Sequence, residues 1–240
     1  LAMLNYDEVI AGIEKFKEYD SETLMSVVSE IGRLNEQEVI DSNKIGDREG
    51  LKYVTDGAEG PEVHTPERFK KLYDAVKSSG YVGATMPTQY GGGGAPFTTA
   101  ILAGEIGIAA NMAFYMGPGL SHGAMKTILK KATEELKDKY LPNMTSGEWM
   151  GTMCLTEPQC GTDLGLIKST AVPKDDHYEL TGQKIWISFG EHDLTENIIH
   201  LVLARTPDAP EGIKGISLFL VPKRLDDNCL LYTSDAADDP

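Results

Sequence analysis

The spacing of apolar residues changes near Trp149 and divides the chain into two parts. Before Trp149, apolar residues recur every three or four positions, which is typical of amphipathic helices. After Trp149, short apolar segments separated by turn residues predict β-strands. Helices followed by strands predict an α+β protein, with an all-α N-terminal domain at residues 1–148 and a middle β-domain at residues 149–224. We expect the middle domain to be an antiparallel barrel or sandwich.

Six segments of the N-terminal part carry helical spacing or helix caps. Residues 97–113 are apolar almost all round, which is typical of a buried helix, and Gly117-Pro118-Gly119 is expected to end it. The segment at residues 42–64 is polar and has no clear period, so we expect a loop there. The predicted helices cover residues 6–19, 21–41, 65–80, 97–113, 120–131 and 133–142.

Five segments of the middle part have strand character, and turns such as Lys174-Asp175-Asp176 and Thr181-Gly182 separate them. The predicted strands cover residues 167–172, 177–180, 184–187, 198–204 and 215–221.

The run Gly91 to Gly94 has the composition of a phosphate-binding loop but not its context. No Lys-Ser or Lys-Thr pair follows at the required spacing, and no apolar strand precedes the glycines. We therefore expect a flexible loop between helices.

Charge and cysteine content narrow the classes of partner and compartment. The 240 residues include 22 basic and 37 acidic side chains, a formal net charge of −15. Long-range repulsion therefore opposes nucleic acids and anionic membranes as partners, although a local basic patch could still bind a phosphate. Three cysteines without a CxxC pair favour a reducing compartment, and we expect a bacterial-type cytoplasmic location, with the mitochondrial matrix as the alternative. We expect no secretory signal and no transmembrane helix.

Residues 225–240 continue neither the strand spacing nor a helical pattern. They read LDDNCLLYTSDAADDP and hold five aspartates without a basic residue. The segment resembles a translation of sequencing-adapter DNA, so we expect a foreign or disordered tail and exclude it from the fold.

Two segments carry the signal for a binding site: MCLTEPQCGT at Met153 to Thr162 and KIWIS at Lys184 to Ser188. The first is a strand that breaks at Glu157-Pro158, because proline cannot donate to a ladder. A glycine at position 161 lets the backbone approach a ligand, and threonines at 156 and 162 add hydroxyls. In a strand, Trp186 and Ser188 would share one face. Such a surface suits a flat heteroaromatic ligand with polar edges.

In the order in which they occur, these motifs resemble the N-terminal and middle domains of flavin-dependent acyl-CoA dehydrogenases. The quoted elements are TEPQCGTD from Thr156, GQKIWIS from Gly182 and LAR from Leu203, and the resemblance covers residues 60–223. The turn Gln159-Cys160, Thr162 and the length of residues 189–197 are similar to the branch that contains methylmercaptopropionyl-CoA dehydrogenase-like enzymes.

The resemblance implies FAD as the cofactor. It implies that Trp186 packs along the isoalloxazine, that Ser188 and Thr156 hydrogen-bond the polar flavin edge, and that Gly161 and Thr162 contact the pyrophosphate. Thr162 would also contact the acyl-CoA. Taken alone, Trp186 would be interpreted as a core tryptophan, but with Ser188 two residues later the cofactor interpretation is favoured. The alternatives for the other residues are ordinary strand hydroxyls and a plain turn. The full set of cofactor-binding residues that the resemblance implies is Met153, Leu155, Thr156, Gly161, Thr162, Trp186, Ile187 and Ser188.

The resemblance further implies α,β-dehydrogenation of an acyl-CoA thioester to a trans-2-enoyl-CoA, with electrons passed to an electron-transferring flavoprotein. In the family, the catalytic glutamate lies in a C-terminal helical domain that also completes a homodimer or tetramer. We therefore expect a fragment without its base and inactive alone. The alternatives are an acyl-CoA oxidase or a non-catalytic flavin-binding relative.

Other reactive side chains point to no further chemistry. Cys154 and Cys160 have no histidine near them in sequence, so we expect small core residues and no metal. His192 is expected to be a solvated loop histidine, and Glu157 is expected to be structural.

Overall fold

The computed structural model describes residues 5–57 and 60–225. The six helices of this part are α1 (Tyr6–Ala11), α2 (Ser21–Leu34), α3 (Ile40–Glu49), α4 (Glu67–Ser78), α5 (Phe97–Lys131) and α6 (Glu134–Ser146). Its strands are β1 (Lys52–Gly57), β2 (Gly60–His64), β3 (Trp149–Cys154), β4 (Thr170–Pro173), β5 (Tyr178–Thr181), β6 (Asn197–Ala204) and β7 (Ser217–Pro222). The tail predicted at residues 225–240 lies outside the described residues, apart from Leu225.

The predicted division into helices and then a sheet-containing part is confirmed. α6 ends before Gly147, which has a φ of 85°, and β3 begins at Trp149. A left-handed glycine is a common helix end, because it has no Cβ to clash. The Ser121 hydroxyl of α5 accepts a 3.0 Å hydrogen bond from the Gly151 N–H of β3. One core spans both parts, and its largest buried side chains include Tyr73, Phe114, Met125, Met144, Met150 and Ile199.

The loop predicted at residues 42–64 is wrong. A π-helical turn at Asn35–Val39 carries the chain from α2 into α3, so the helical region runs on past the predicted end at residue 41. The antiparallel hairpin β1–β2 follows, with Lys52 opposite His64. Its strands are half-exposed, so no apolar alternation marks them in the sequence. α1 also ends earlier than predicted, at Ala11.

Helix α5 folds back on itself at Asn111, which has a φ of −157° and a ψ of 93°. A straight helix would place residues 97 and 122 about 37 Å apart, yet the rings of Phe97 and His122 stack at 6.0 Å. We call residues 97–110 the first arm and residues 112–131 the second arm. The break predicted at Gly117–Gly119 is therefore misplaced, because Pro118 lies inside the second arm.

Helix α5 is also the one helix of the described residues that is long and apolar enough to cross a membrane, judged by length and composition alone. The core helix of a soluble protein meets the same test. Here the buried face of α5 packs against β3.

The strands form three small sheets among the described residues. β6 lies between β3 and β7, and β4 pairs with β5. The antiparallel prediction holds for β6–β7 and β4–β5, but β3 and β6 are parallel. Residues 155–196 connect them, and a parallel pair requires a crossover of that kind. The strand predicted at residues 184–187 is absent from the described sheets.

Candidate functional site

The two segments singled out from the sequence meet at the end of β3. The Lys184 ammonium donates to the Leu155 carbonyl oxygen at 3.0 Å, and the Ile185 N–H donates to the Thr156 carbonyl oxygen at 3.0 Å. A Cβ at Gly161 would lie 3.7 Å from the Thr156 side chain. The structure therefore places the turn after β3 directly beside the segment that carries Trp186.

Glu157 holds these segments together. Its side chain is 3% exposed and accepts hydrogen bonds from Lys184 Nζ at 2.8 Å, Gln159 Nε2 at 2.6 Å, Lys168 N at 2.7 Å and Ser169 N at 3.1 Å. Burial works to raise the pKa of Glu157, but the donors outweigh it and lower the pKa to about 2. Glu157 is thus a permanently charged structural anchor, in agreement with the expectation from sequence.

The cysteines near the turn are buried. Burial raises the pKa of the Cys154 thiol, and Cys160 closes a tight turn in which its N–H donates to the Glu157 carbonyl oxygen. No histidine lies near Cys154 in sequence, but the fold brings one to it, because its sulfur lies 3.6 Å from His200 Nδ1. Within the described ranges, no group of three or more potential metal ligands forms.

Residues 184–188 form irregular turns instead of the predicted strand. Trp186 has a φ of 60°, a left-handed conformation that is a genuine outlier for a bulky residue. Its side chain is 78% exposed, and Ser188 is exposed beside it in sequence. Trp186 and Ser188 are therefore both exposed because they lie in a turn, and not because they share one face of a strand. Backbone strain of this kind is characteristic of ligand sites.

Phe189 ties this turn to the helical part. Its φ is 56°, and its ring packs so closely on Gly117 of α5 that a Cβ there would lie 2.6 Å away. The Gly190 N–H donates to the Ile187 carbonyl oxygen at 2.9 Å and closes the turn. The sequence did not predict the contact between Phe189 and Gly117, although a glycine within a helix can indicate close packing.

His192 is buried, with 4% of its surface exposed, so the expectation of a solvated histidine is wrong. Its Nδ1 accepts a 3.2 Å hydrogen bond from the Leu194 N–H. Burial, together with the charge of Lys223, lowers the pKa of His192 to about 3. The ring meets Phe189 edge-on at 5.8 Å. A neutral, tightly packed ring supports the turn from behind and is not a base.

Asp193 links this loop to the start of α4. Its carboxylate accepts from the Thr65 N–H at 2.9 Å and from the Thr65 hydroxyl at 2.7 Å. Lys70 Nζ lies 2.8 Å away and His64 Nδ1 3.1 Å away. Burial opposes ionisation, but these donors outweigh it and lower the pKa of Asp193 to about 2.

Arg205, at the end of β6, holds the loop before β4 and the loop before β7. Its guanidinium donates to the carbonyl oxygens of Gly165 at 2.8 Å, Ile167 at 3.1 Å and Gly212 at 2.8 Å. The arginine of the LAR motif is therefore a clamp on two loops. Its planar group of donors can satisfy several carbonyls at once, which a lysine cannot do.

The predicted site residues differ in accessibility. Met153 packs against the core, and Leu155, Thr156 and Ile187 are half-buried. The remaining four, Gly161, Thr162, Trp186 and Ser188, are exposed. The hydroxyls of residues 156, 162 and 188 have no hydrogen-bond partner among the described residues. An exposed indole, on a segment that meets the threonine-bearing turn after β3, fits a flat heteroaromatic group such as a flavin.

Both parts of the chain match models of known protein families. Residues 52–148 match the model described as "Acyl-CoA dehydrogenase, N-terminal domain", and residues 152–230 match "Acyl-CoA dehydrogenase, middle domain". The chain belongs to the acyl-CoA dehydrogenase family. The second match includes Glu157, Trp186 and Arg205, so the anchor, the exposed indole and the clamp all lie in the family's middle domain.

Individual acyl-CoA dehydrogenases agree with this assignment. The chain is 41% identical to 3-methylmercaptopropionyl-CoA dehydrogenase of Ruegeria pomeroyi over 90% of its own length and 36% of that protein. An acyl-CoA dehydrogenase structure from Geobacillus kaustophilus matches 85% of this chain and 48% of its own, with a TM-score of 0.69 and 26% identity. A structure of the Bacillus anthracis enzyme complexed with FAD matches 86% of this chain and 32% of its own, with a TM-score of 0.66 and 25% identity.

The chain is short compared with these proteins. It spans between 30% and 36% of the length of the curated relatives that it matches first and about half of the Geobacillus kaustophilus structure.

Proposed function

We propose that this chain forms one wall of an FAD site at which an acyl-CoA thioester is dehydrogenated between its α and β carbons. The observation that carries the proposal is Trp186, which is held exposed in a left-handed conformation. When bound, FAD supplies a two-electron acceptor for the substrate's β-hydrogen.

Each predicted residue has a definite task in this proposal. Trp186 stacks along the flavin ring, where its geometry contributes about 0.5–1.5 kcal/mol beyond area burial. Thr156 and Ser188 donate hydroxyl hydrogen bonds to the polar edge of the ring, where bonds to charge are worth about 1.5–3 kcal/mol. Gly161 and Thr162 donate to the pyrophosphate, and Thr162 also contacts the acyl-CoA.

The apolar residues of the set act mainly through position. Leu155 and Ile187 lie beside the hydrogen bonds through which Lys184 and the Ile185 N–H join the turn after β3 to the Trp186 turn. Met153 holds the strand against the core, so we assign it a smaller share of the contact with the cofactor.

Removal of the α-proton requires a carboxylate that can accept it. Glu157 cannot serve, because four donors occupy its oxygens and its pKa is about 2. We propose that the base comes from residues that this chain does not contain and that the chain is inactive alone. The partners that the resemblance implies are an electron-transferring flavoprotein as acceptor and further copies of the protein, in the cytoplasm.

The test measures FAD retention and reduction potential in the complete gene product. Trp186→Ala and Ser188→Ala should each weaken FAD retention about tenfold, which corresponds to about 1.4 kcal/mol. Tyr178→Ala and Ser146→Ala are matched controls, because Tyr178 is exposed on β5 and Ser146 ends α6. Unchanged retention and potential in both site variants would show that the site assignment is wrong.

A further inference from the structure

Residues 160–165 form a loop whose two ends are joined by side chains of the turn after β3. Gln159 Nε2 donates to the Leu166 carbonyl oxygen at 3.3 Å, so one hydrogen bond connects the residues on either side of the loop. The Glu157 carboxylate adds two bonds from the chain beyond the loop, because it accepts from the N–H groups of residues 168 and 169 at 2.7 and 3.1 Å. Glu157 and Gln159 therefore close the loop at its base.

Gln159 also fixes the carboxylate of Glu157. The same amide nitrogen donates to Glu157 Oε2 at 2.6 Å, and an amide group has two hydrogens, one for each acceptor. Glu157 is buried, whereas Gln159 lies at the surface. Without this donor, a buried charge would have one hydrogen bond fewer, which is unfavourable. Gln159 thus connects the buried anchor to the carbonyl group of Leu166 at the far end of the loop.

The closed loop presents hydrogen-bond donors that the described part of the fold does not use. The N–H groups of residues 161–164 make no hydrogen bond to any described residue. Gly161 and Thr162, which begin this stretch, are exposed. Inside the loop, the Asp163 carboxylate accepts from the Gly165 N–H at 3.1 Å and limits movement. Successive backbone N–H groups that are held in place suit an anion such as a phosphate.

Closure of the loop affects the affinity for such an anion. A loop that is open before binding must be ordered when the ligand binds, and this ordering reduces affinity. A loop that is already closed avoids that loss. Arg205 provides a second restraint, because its Nη2 donates to the Gly165 carbonyl oxygen at 2.8 Å. Removal of the Gln159 bonds should therefore loosen the loop without unfolding the domain.

We propose that Gln159 is a positioning residue for the diphosphate group of the cofactor. It acts through the loop of residues 160–165, because it holds the donors of Gly161 and Thr162 in place before the diphosphate binds. The identity of the anion rests on the proposed function, whereas the closure of the loop by Gln159 does not.

The first experiment tests loop closure in the 240-residue chain itself. Gln159→Met keeps the length of the side chain but removes both donors. The N–H groups of Gly165 and Leu166 donate to Asp163 within the loop, so their hydrogen exchange, measured by NMR at pH 7, should become at least about fivefold faster. Gln89→Met is the matched control, because Gln89 is exposed and its side chain makes no hydrogen bond to a described residue. Exchange in Gln159→Met as slow as in the wild-type chain overturns the proposal.

The second experiment measures FAD retention and reduction potential in the complete gene product. Gln159→Met should weaken retention about fivefold, because the loosened loop must be ordered on binding. The reduction potential should stay unchanged, because the diphosphate is the same in both redox states. Gln159→Glu places a second carboxylate beside Glu157 and should weaken retention more than about tenfold. Gln89→Met should change neither quantity.

The outcomes of the second experiment separate this proposal from the proposed function. Unchanged FAD retention in both Gln159 variants overturns the positioning role. A reduction potential that shifts together with retention also overturns it, because Gln159 would then act on the flavin ring. A wild-type gene product that binds no FAD contradicts the proposed function, and faster exchange in Gln159→Met would then leave the closure of the loop supported.

Discussion

At the scale of the residue, Glu157 and Trp186 are each placed unfavourably, Glu157 as a buried charge and Trp186 as an exposed aromatic ring on a strained backbone. Glu157 places a charge where 3% of its surface is exposed, and its four donors offset the desolvation. Trp186 exposes a large aromatic surface from a left-handed backbone. The carboxylate organises the turn, and the indole has no structural use that would compensate for its strain.

The first prediction concerns pH. The pKa of Glu157 is about 2 in the folded state, below the ordinary value of 4.5, so its contribution is complete above pH 4.5 and is lost as pH falls towards 2. The shift corresponds to about 3 kcal/mol. Between pH 6 and pH 2.5, where part of the contribution remains, the wild-type chain should therefore lose about 2.5 kcal/mol more unfolding free energy than Glu157→Gln, as measured by urea unfolding.

The ion pair of Lys184 with Glu157 is tested by the variant Lys184→Met, and Lys174→Met is its control. Lys174 pairs with Glu179 where both side chains are exposed, so its removal should cost under about 1 kcal/mol. Lys184→Met removes a donor from a buried carboxylate and should cost about 3 kcal/mol. Equal losses in the two variants would contradict the anchoring role of Glu157.

The second prediction is that Trp186→Gly stabilises the chain. Glycine adopts a φ of 60° without a Cβ clash, and the exposed indole loses little packing. Unfolding free energy should rise by up to about 1 kcal/mol, while FAD retention in the complete gene product falls. Phe189→Gly has a similar backbone but removes the ring packed on Gly117, so it should be destabilising. A destabilised Trp186→Gly would mean that the indole has a structural role.

At the scale of the element, Asn111 decides the shape of α5. Its Oδ1 accepts a 3.0 Å hydrogen bond from the Phe114 N–H, so it acts as the N-cap of the second arm. Its Nδ2 donates to the Ser42 hydroxyl of α3 at 2.8 Å. One buried side chain thus starts a helix and fixes that helix to another.

The third prediction is that Asn111→Ala costs about 2–3 kcal/mol, because it removes the cap and leaves the buried Ser42 with one partner fewer. Thr133→Ala is the matched cap variant. Its bond to the Leu136 N–H is 3.4 Å long and exposed, so we expect a loss below about 1 kcal/mol. Denaturant midpoints measure both values, and similar losses would show that the bend does not depend on Asn111.

In helix α5, the residues with the strongest helix-breaking character do not lie at the bend. Gly117-Pro118-Gly119 contains the residue types that break helices. Gly117, however, leaves room for the Phe189 ring, which a Cβ at that position would meet. The actual bend lies at Asn111, whose side-chain oxygen caps the second arm by accepting from the backbone N–H three positions later. Local composition indicated a break in this segment, but it predicted the break at the glycine and proline residues and not at Asn111.

At the scale of the whole molecule, two contacts join the helical part to the loop of residues 189–194. Phe189 packs on Gly117, and Asp193 receives donors from residues 64, 65 and 70. The turn that carries Trp186 is therefore tied to α4 and α5 as well as to the end of β3.

The fourth prediction is that Asp193→Asn lowers the unfolding free energy by about 1–2 kcal/mol at pH 7. The folded pKa of Asp193 is about 2, below the ordinary 3.8, so its stabilising effect is full above pH 3.8. The difference from wild type should vanish as pH falls towards 2. Asp74→Asn is the control, because Asp74 is exposed and 3.9 Å from Lys77. A pH-independent difference for Asp193→Asn would show that charge is not its contribution.

The sequence by itself determined the order of helices and strands, the family motifs and the two segments of the proposed site. These depend on period, turn chemistry and short spacing, which are local properties. Only the tertiary structure decided the parallel pairing of β3 with β6, the bend at Asn111 and the buried environment of His192. It also decided how Trp186 is presented: a carboxylate anchor and a packed phenylalanine, distant in sequence from their partners, hold it outward. Contacts between distant residues outweigh the local strand preference of KIWIS, because burial and hydrogen bonding together exceed a propensity of about 1 kcal/mol.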